Sequence, residues 1–141
     1  MRIYLASFFD TRDRLKPIRD SINAMGHEVT GAWIDEPNTV MGLTYNQEMN
    51  MADRDLRDID TADLLILDTF DVNPRGGREV EFGYALGQPT MRVWQVGPRR
   101  NIFHALAGAN FDKWEDVLHA LYQEAGQVGT RPLPRNTARL Y

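Results

Sequence analysis

Apolar residues along this chain recur with two different spacings, and the spacings alternate. Ile3 to Ala6 is a short unbroken run suited to a buried strand, whereas Leu15, Ile18, Ile22 and Met25 follow at intervals of 3, 4 and 3, the stripe of a helix. Asp10 or Thr11 stands where a helix cap belongs. Pro17, which lacks an N–H, predicts either an irregular first turn or a regular helix that starts near it. Gly26 ends this stripe, His27 to Trp33 predicts a second strand, and the stretch from Ile34 to Gly42, with Pro37 and Asn38, predicts a loop. Thr44 to about Ile59 reads as an acidic helix, and Ala62 to Asp68 as the continuous apolar run of a central parallel strand. A glycine-opened helix follows from Gly76. Beyond it come a strand near Thr90 to Val96, a loop over residues 97–100, a short turn at Ile102 to Leu106 and a last helix from Asp112 to Ala125. Strands that alternate with helices predict an α/β protein with a doubly wound, mainly parallel five-stranded sheet and helices on both faces. The pattern assigns residues to four of the five strands.

Residues 1–125 therefore form one predicted domain, without internal repeats. The tail, 126–141, holds two prolines and three arginines and little periodicity, which suits either a disordered end or an arm laid on a neighbour. At 141 residues the chain is long enough to bury a full core without staples. Cysteine is absent, which removes disulfides, thiolate nucleophiles and Cys-ligated zinc and makes a cytoplasmic setting the natural expectation. No apolar run approaches the ~20 residues that span a bilayer, and the N-terminus runs directly into a strand pattern, so a soluble, unprocessed protein with no membrane partner is expected. The net charge of −4 argues against a general binder of nucleic-acid polymers.

In open α/β sheets, ligands sit beyond the carboxyl ends of the strands. That rule selects residues 4–10, 68–75 and the helix that opens at Gly76 and Gly77. This helix carries Glu79 and Glu81 in its first turns, where unpaired backbone N–H groups favour negative charge and can cradle an anion. The two glutamates lie two residues apart and face different ways, so at most one of them serves a given pocket, the alternative being a solvated acidic first turn; Tyr84 and Ala85 share the face of Glu81. Ser7, Thr11 and Arg12 at the first helix's start suit either phosphate binding or simple capping. On the acidic helix Asp55 and Asp58 share a face. One of them, turned into a partly dry pocket beside a second carboxylate, would have a raised pKa and could donate a proton. Other chemistries are thin: neither Ser7 nor Ser21 sits in a nucleophile elbow, His27, His104 and His119 lack metal-ligand spacing, and no Walker loop or dinucleotide fingerprint occurs. No metal and no cofactor is expected.

Four segments, taken in order, resemble the nucleoside 2-deoxyribosyltransferase family and its nucleotide N-glycoside hydrolase relatives. They are Ile3-Tyr4-Leu5-Ala6, residues 55–63 entering the third strand, Glu81-Phe82-Gly83-Tyr84-Ala85-Leu86-Gly87, and Asn101-Ile102-Phe103. The resemblance implies a flavodoxin or Rossmann-like fold over residues 1–125. It implies Glu81 as the nucleophile that attacks the anomeric carbon, Tyr4 as the residue orienting it, and Asp55 as the residue that contacts the base and shuttles its proton. It also implies that Asn101 and Phe103 reach a neighbouring subunit's site, in a homodimer or larger assembly, with the C-terminal Tyr141 as a further candidate for that shared site. The partners implied are a nucleoside or nucleotide and a free nucleobase. The chain departs from the family at Arg75, where the transferases usually carry an aspartate for the sugar hydroxyls. An arginine-flanked start, Arg75-Gly76-Gly77-Arg78, is a better seat for a 5′-phosphate than for a hydroxyl. Transfer of deoxyribose between bases is the first expectation and hydrolysis of a nucleoside 5′-monophosphate its rival. A nucleotide sensor without turnover is a third.

Overall fold

The computed structural model describes residues 1–37, 41–72 and 75–125. The predicted tail, Tyr141 and part of the 34–42 loop lie outside the described residues. Five strands, β1 (Arg2–Ala6), β2 (Glu28–Thr30), β3 (Leu64–Asp68), β4 (Arg92–Val96) and β5 (Ala109–Phe111), form one sheet in the order β2-β1-β3-β4-β5, and every pairing is parallel. This is the doubly wound, flavodoxin-like arrangement. The connections reverse direction after β2, so right-handed crossovers send α1 (Arg12–Ala24) to one face and α2 (Tyr45–Asp60) and α3 (Gly77–Gly87) to the other. α4 (Trp114–Ala125) returns to pack on α1, while α2 packs on α3. No helix among the described residues is long and apolar enough to cross a membrane.

Burial follows the apolar spacing. All five residues of β3 are buried, as a strand covered on both faces requires, and Leu15 and Ile22 of the α1 stripe are fully buried. α2 opens with a capping box: the Thr44 hydroxyl accepts from Gln47 N at 3.2 Å, and the Gln47 side chain accepts from Thr44 N at 2.9 Å. α1 is preceded by a 3-10 turn, Phe9–Thr11, and is regular from Arg12 with Pro17 inside it, so the alternative of a helix that starts near the proline does not hold. Thr11 occupies the cap position without making a cap bond; its hydroxyl donates to Phe8 O at 2.6 Å.

Two strand expectations change. The second strand ends at Thr30 rather than Trp33, because Gly31 adopts φ +100°, a left-handed conformation that breaks the extended run. The chain then winds into a 3-10 turn, Ala32–Asp35, which buries Trp33 with its indole N–H donating to Leu5 O at 3.0 Å. A side chain at Gly31 would press on Tyr4, 3.2 Å from a Cβ placed there. The fifth strand is the short edge segment Ala109–Phe111. It has no apolar run of its own and is held by backbone pairing to β4 and by Phe111 against Trp94, 5.2 Å between ring centroids.

Candidate active site

The order β2-β1-β3 places the topological switch between β1 and β3, and a pocket of about 220 Å³ opens nearby. Ser7, Phe8, Phe9, Trp33, Asp55, Arg75, Gly77, Arg78 and Glu81 line it. β1 contributes the buried Tyr4, whose hydroxyl donates to Glu81 Oε2 across the sheet-to-helix junction. That contact joins the first strand to the second turn of α3 and aims Glu81 inward.

Burial dominates the electrostatics. Loss of water pushes the Glu81 carboxyl up to about 8; the Tyr4 hydrogen bond opposes the shift and the charge of Asp55 adds to it. Burial, and then the negative charges of Glu81 and Asp55, hold the Tyr4 hydroxyl well above its ordinary value, so it keeps its proton and serves as a donor. Asp55 is raised as well, chiefly by burial, against the nearby Arg54, whose Nε and guanidinium nitrogen lie 3.3 and 3.2 Å from Asp55 Oδ1. Arg54 also faces Glu36 Oε2 at 3.5 Å. Both carboxyl groups resist ionisation in one pocket: Glu81 keeps its proton up to about 8 in the substrate-free protein, against the Tyr4 hydrogen bond, which favours its ionised form. Such a pair can supply a carboxylate and an acid side by side.

The other expected site residues divide. Ser7 is buried with its hydroxyl 3.1 Å from Thr11 Oγ1, and Gly76 takes φ +79° at the head of α3, with Gly77 behind it in the pocket wall. Arg75 also lies in that wall, over the Phe8 ring at 5.7 Å and 3.8 Å from Asp10. Arg78 touches the pocket, but its guanidinium is buried and donates to Asp71 O at 2.6 Å and Asp68 O at 3.3 Å. Arg12 is not in the pocket lining; it braces the neighbouring chain through Glu36 O at 2.8 Å and Phe9 O at 3.2 Å. Asn101 turns inward within its own chain: its Oδ1 accepts from Phe103 N at 2.9 Å and its Nδ2 donates to Glu79 Oε2 at 3.3 Å. Phe103 is 59% exposed beside Ile102 at 81%. Tyr84 faces away from the pocket and donates to Asp60 Oδ1 at 2.6 Å. Asp58 is occupied by the Ala32 N–H at 3.1 Å, so of the acidic pair it is Asp55 that looks inward.

Two features escaped the sequence. Trp33 forms part of the pocket's aromatic wall with Phe8 and Phe9, a role hidden while residues 27–33 read as one strand. Glu79 is no solvated carboxylate: it accepts from the buried His104 Nε2 at 2.7 Å. Nothing in the spacing of residues 79 and 104 signals that pairing.

No protein-family model matches the chain, and no curated protein matches it. Solved structures do. A 2-deoxyribosyltransferase from Bacillus psychrosaccharolyticus superposes with a TM-score of 0.69 at 22% identity, over 86% of this chain and 96% of that one. The Clostridium botulinum CMP N-glycosidase BcmB superposes with a TM-score of 0.58 at 17% identity, over 86% of this chain and 98% of that one. The chain thus shares a fold, over nearly the whole of both proteins, with one enzyme of each kind that the sequence resembles.

Proposed function

We propose that the protein belongs with the nucleoside 2-deoxyribosyltransferases and cleaves the N-glycosidic bond of a deoxynucleoside, passing the sugar to another base through Glu81. One observation carries this reading: the Tyr4 hydroxyl holds the Glu81 carboxyl at a pocket whose wall also contains Asp55. Breaking the C–N bond builds positive charge at the anomeric carbon, and a carboxylate placed in a dry pocket gains most where that charge appears. Once Glu81 has passed its proton to Asp55, its carboxylate attacks this carbon as Asp55 gives that proton to the departing base, leaving the sugar esterified to Glu81. Return of a base, activated by Asp55, releases a new nucleoside; water in its place gives hydrolysis. The faces of Phe8, Phe9 and Trp33 suit a flat base. Incubation with a deoxynucleoside and a second free base, then separately with deoxynucleoside monophosphates, tests the proposal by chromatography of products. A new nucleoside supports transfer, free base with a sugar phosphate supports the second reading below, and no turnover of either set supports a sensor.

A second reading, hydrolysis of a nucleoside 5′-monophosphate, is favoured by Arg75 in the pocket wall next to Gly77 at a helix start. A charge-assisted hydrogen bond there contributes about 1.5–3 kcal/mol. Arg75→Ala is therefore expected to lower kcat/KM for a monophosphate at least about tenfold more than for its nucleoside. Equal losses would place the phosphate elsewhere. We further propose a homo-oligomer in which the exposed Phe103 completes a neighbour's pocket, supported by its exposure beside Ile102 on a turn fixed from behind. Sedimentation of active enzyme checks this: a fully active monomer contradicts it.

A further inference from the structure

α3 starts without a side-chain cap. Gly76 holds the cap position at φ +79° and Gly77 follows, so neither supplies an atom to fix the first turn. The next two residues anchor it in different directions. Arg78 donates to the carbonyls of Asp68, at the end of β3, and Asp71, in the loop after it. Glu79 accepts from His104 Nε2 at 2.7 Å and from Asn101 Nδ2 at 3.3 Å, in the turn after β4.

His104 is itself held on every side. It is fully buried, its Nδ1 accepts from Arg100 N at 3.0 Å, and Nε2 therefore carries the hydrogen that Glu79 receives. Its ring meets Phe82 edge-on at 5.4 Å. Phe82 is buried and adjoins Glu81, so one side chain links the clamp to the reacting carboxyl's own turn. Burial raises the Glu79 carboxyl, but its hydrogen bonds from His104 and Asn101, with the charge of Arg78, outweigh that and hold it below its ordinary value.

We propose that Glu79, acting through His104 and Asn101, is a positioning residue that fixes the roll of the glycine-opened α3 start and thereby the seat of Glu81 against Tyr4. The proposal rests on Glu81 as the reacting carboxylate, where a displacement near 1 Å is enough to cost about 10²-fold in rate.

The test reads Glu81 directly, by carbon-13 NMR titration of its carboxyl in substrate-free protein, assigned by its loss in Glu81→Gln. The charged and titratable groups around it are Tyr4 from β1, Asp55 from α2, and Arg75 and Arg78 at the α3 start, all unchanged in the variants. In Glu79→Ala the released turn admits water, the Glu81 midpoint moves down toward an ordinary glutamate, and kcat falls on the order of 10- to 100-fold with little change in KM. Glu79→Gln keeps an oxygen for His104 and restores both. Asn101→Ala removes one arm of the clamp at an exposed position and shifts the midpoint in the same direction by less, a check that stands even if Glu79→Ala does not fold. An unchanged midpoint in folded Glu79→Ala or in Asn101→Ala, or failure of Glu79→Gln to restore it, overturns the proposal. Absence of turnover in the wild type counts against the N-glycosidic reading alone, because the midpoint is read without substrate.

Discussion

Glu81→Gln is expected to lower turnover at least about 10³-fold, because the amide occupies the same space, accepts the same Tyr4 hydrogen bond and is a far poorer nucleophile. The same variant is expected to be more stable than the wild type at alkaline pH. The sign follows from the raised carboxyl. Between its ordinary 4.5 and about 8, folded Glu81 keeps a proton that the unfolded chain has released. Its contribution to stability is therefore fully present below pH 4.5 and is lost as pH rises through about 8. The cost of holding the ionised group reaches on the order of 3–5 kcal/mol, spread over that window. Glutamine has no proton to lose, so thermal unfolding measured from pH 5 to pH 9 should fall less steeply in Glu81→Gln. A variant that is inactive and also less stable at pH 9 would mean that the carboxylate is held for structure. Sites that store charge in dry surroundings weaken the fold they sit in, and that trade is expected where the chemistry needs the charge.

The second large effect belongs to Asp55. Asp55→Asn is expected to lower turnover about 10²- to 10⁴-fold, the range that a positioned proton donor supplies. Its neighbours Arg54 and Glu36 remain, so the loss falls on proton transfer rather than on the shape of the pocket. Leaving-group dependence separates the two. A natural base departs poorly without a proton, whereas a nitrophenyl deoxyriboside departs readily, and the Asn variant should retain most of its rate on the second substrate. Equal losses on both substrates would make Asp55 a binding group and move the acid elsewhere.

How far these residues could be read from the chain depends on how local their interactions are. The buried run of β3 and the capping box of α2 are set by neighbours within a few positions, so their spacing declares them. β5 owes its existence to the edge that β4 presents, and an Ala-Asn-Phe segment shows nothing of this in isolation. Gly31 permits the turn that carries Trp33 out of β2, but a single glycine in an apolar run does not say on which side the strand stops. In the site, Tyr4, Asp55 and Glu81 were legible through ordered segments that resemble one family, and the structure brings all three to one place. Arg78 and Glu79 were not. Their partners, the carbonyls of Asp68 and Asp71 and the ring of His104, are set by where β3 and β4 end in space, and charge at a helix start reads alike whether it faces ligand, backbone or solvent.

The sugar is expected to pass through a covalent bond to Glu81. Intact-protein mass spectrometry after rapid acid quench of enzyme mixed with a deoxynucleoside that it turns over, in the absence of acceptor base, reads that bond directly. A mass increase equal to one deoxyribosyl group, mapped to the peptide containing Glu81 and absent in Glu81→Gln, is the predicted result; turnover that persists undiminished in Glu81→Gln, or an adduct on any other residue, would contradict it.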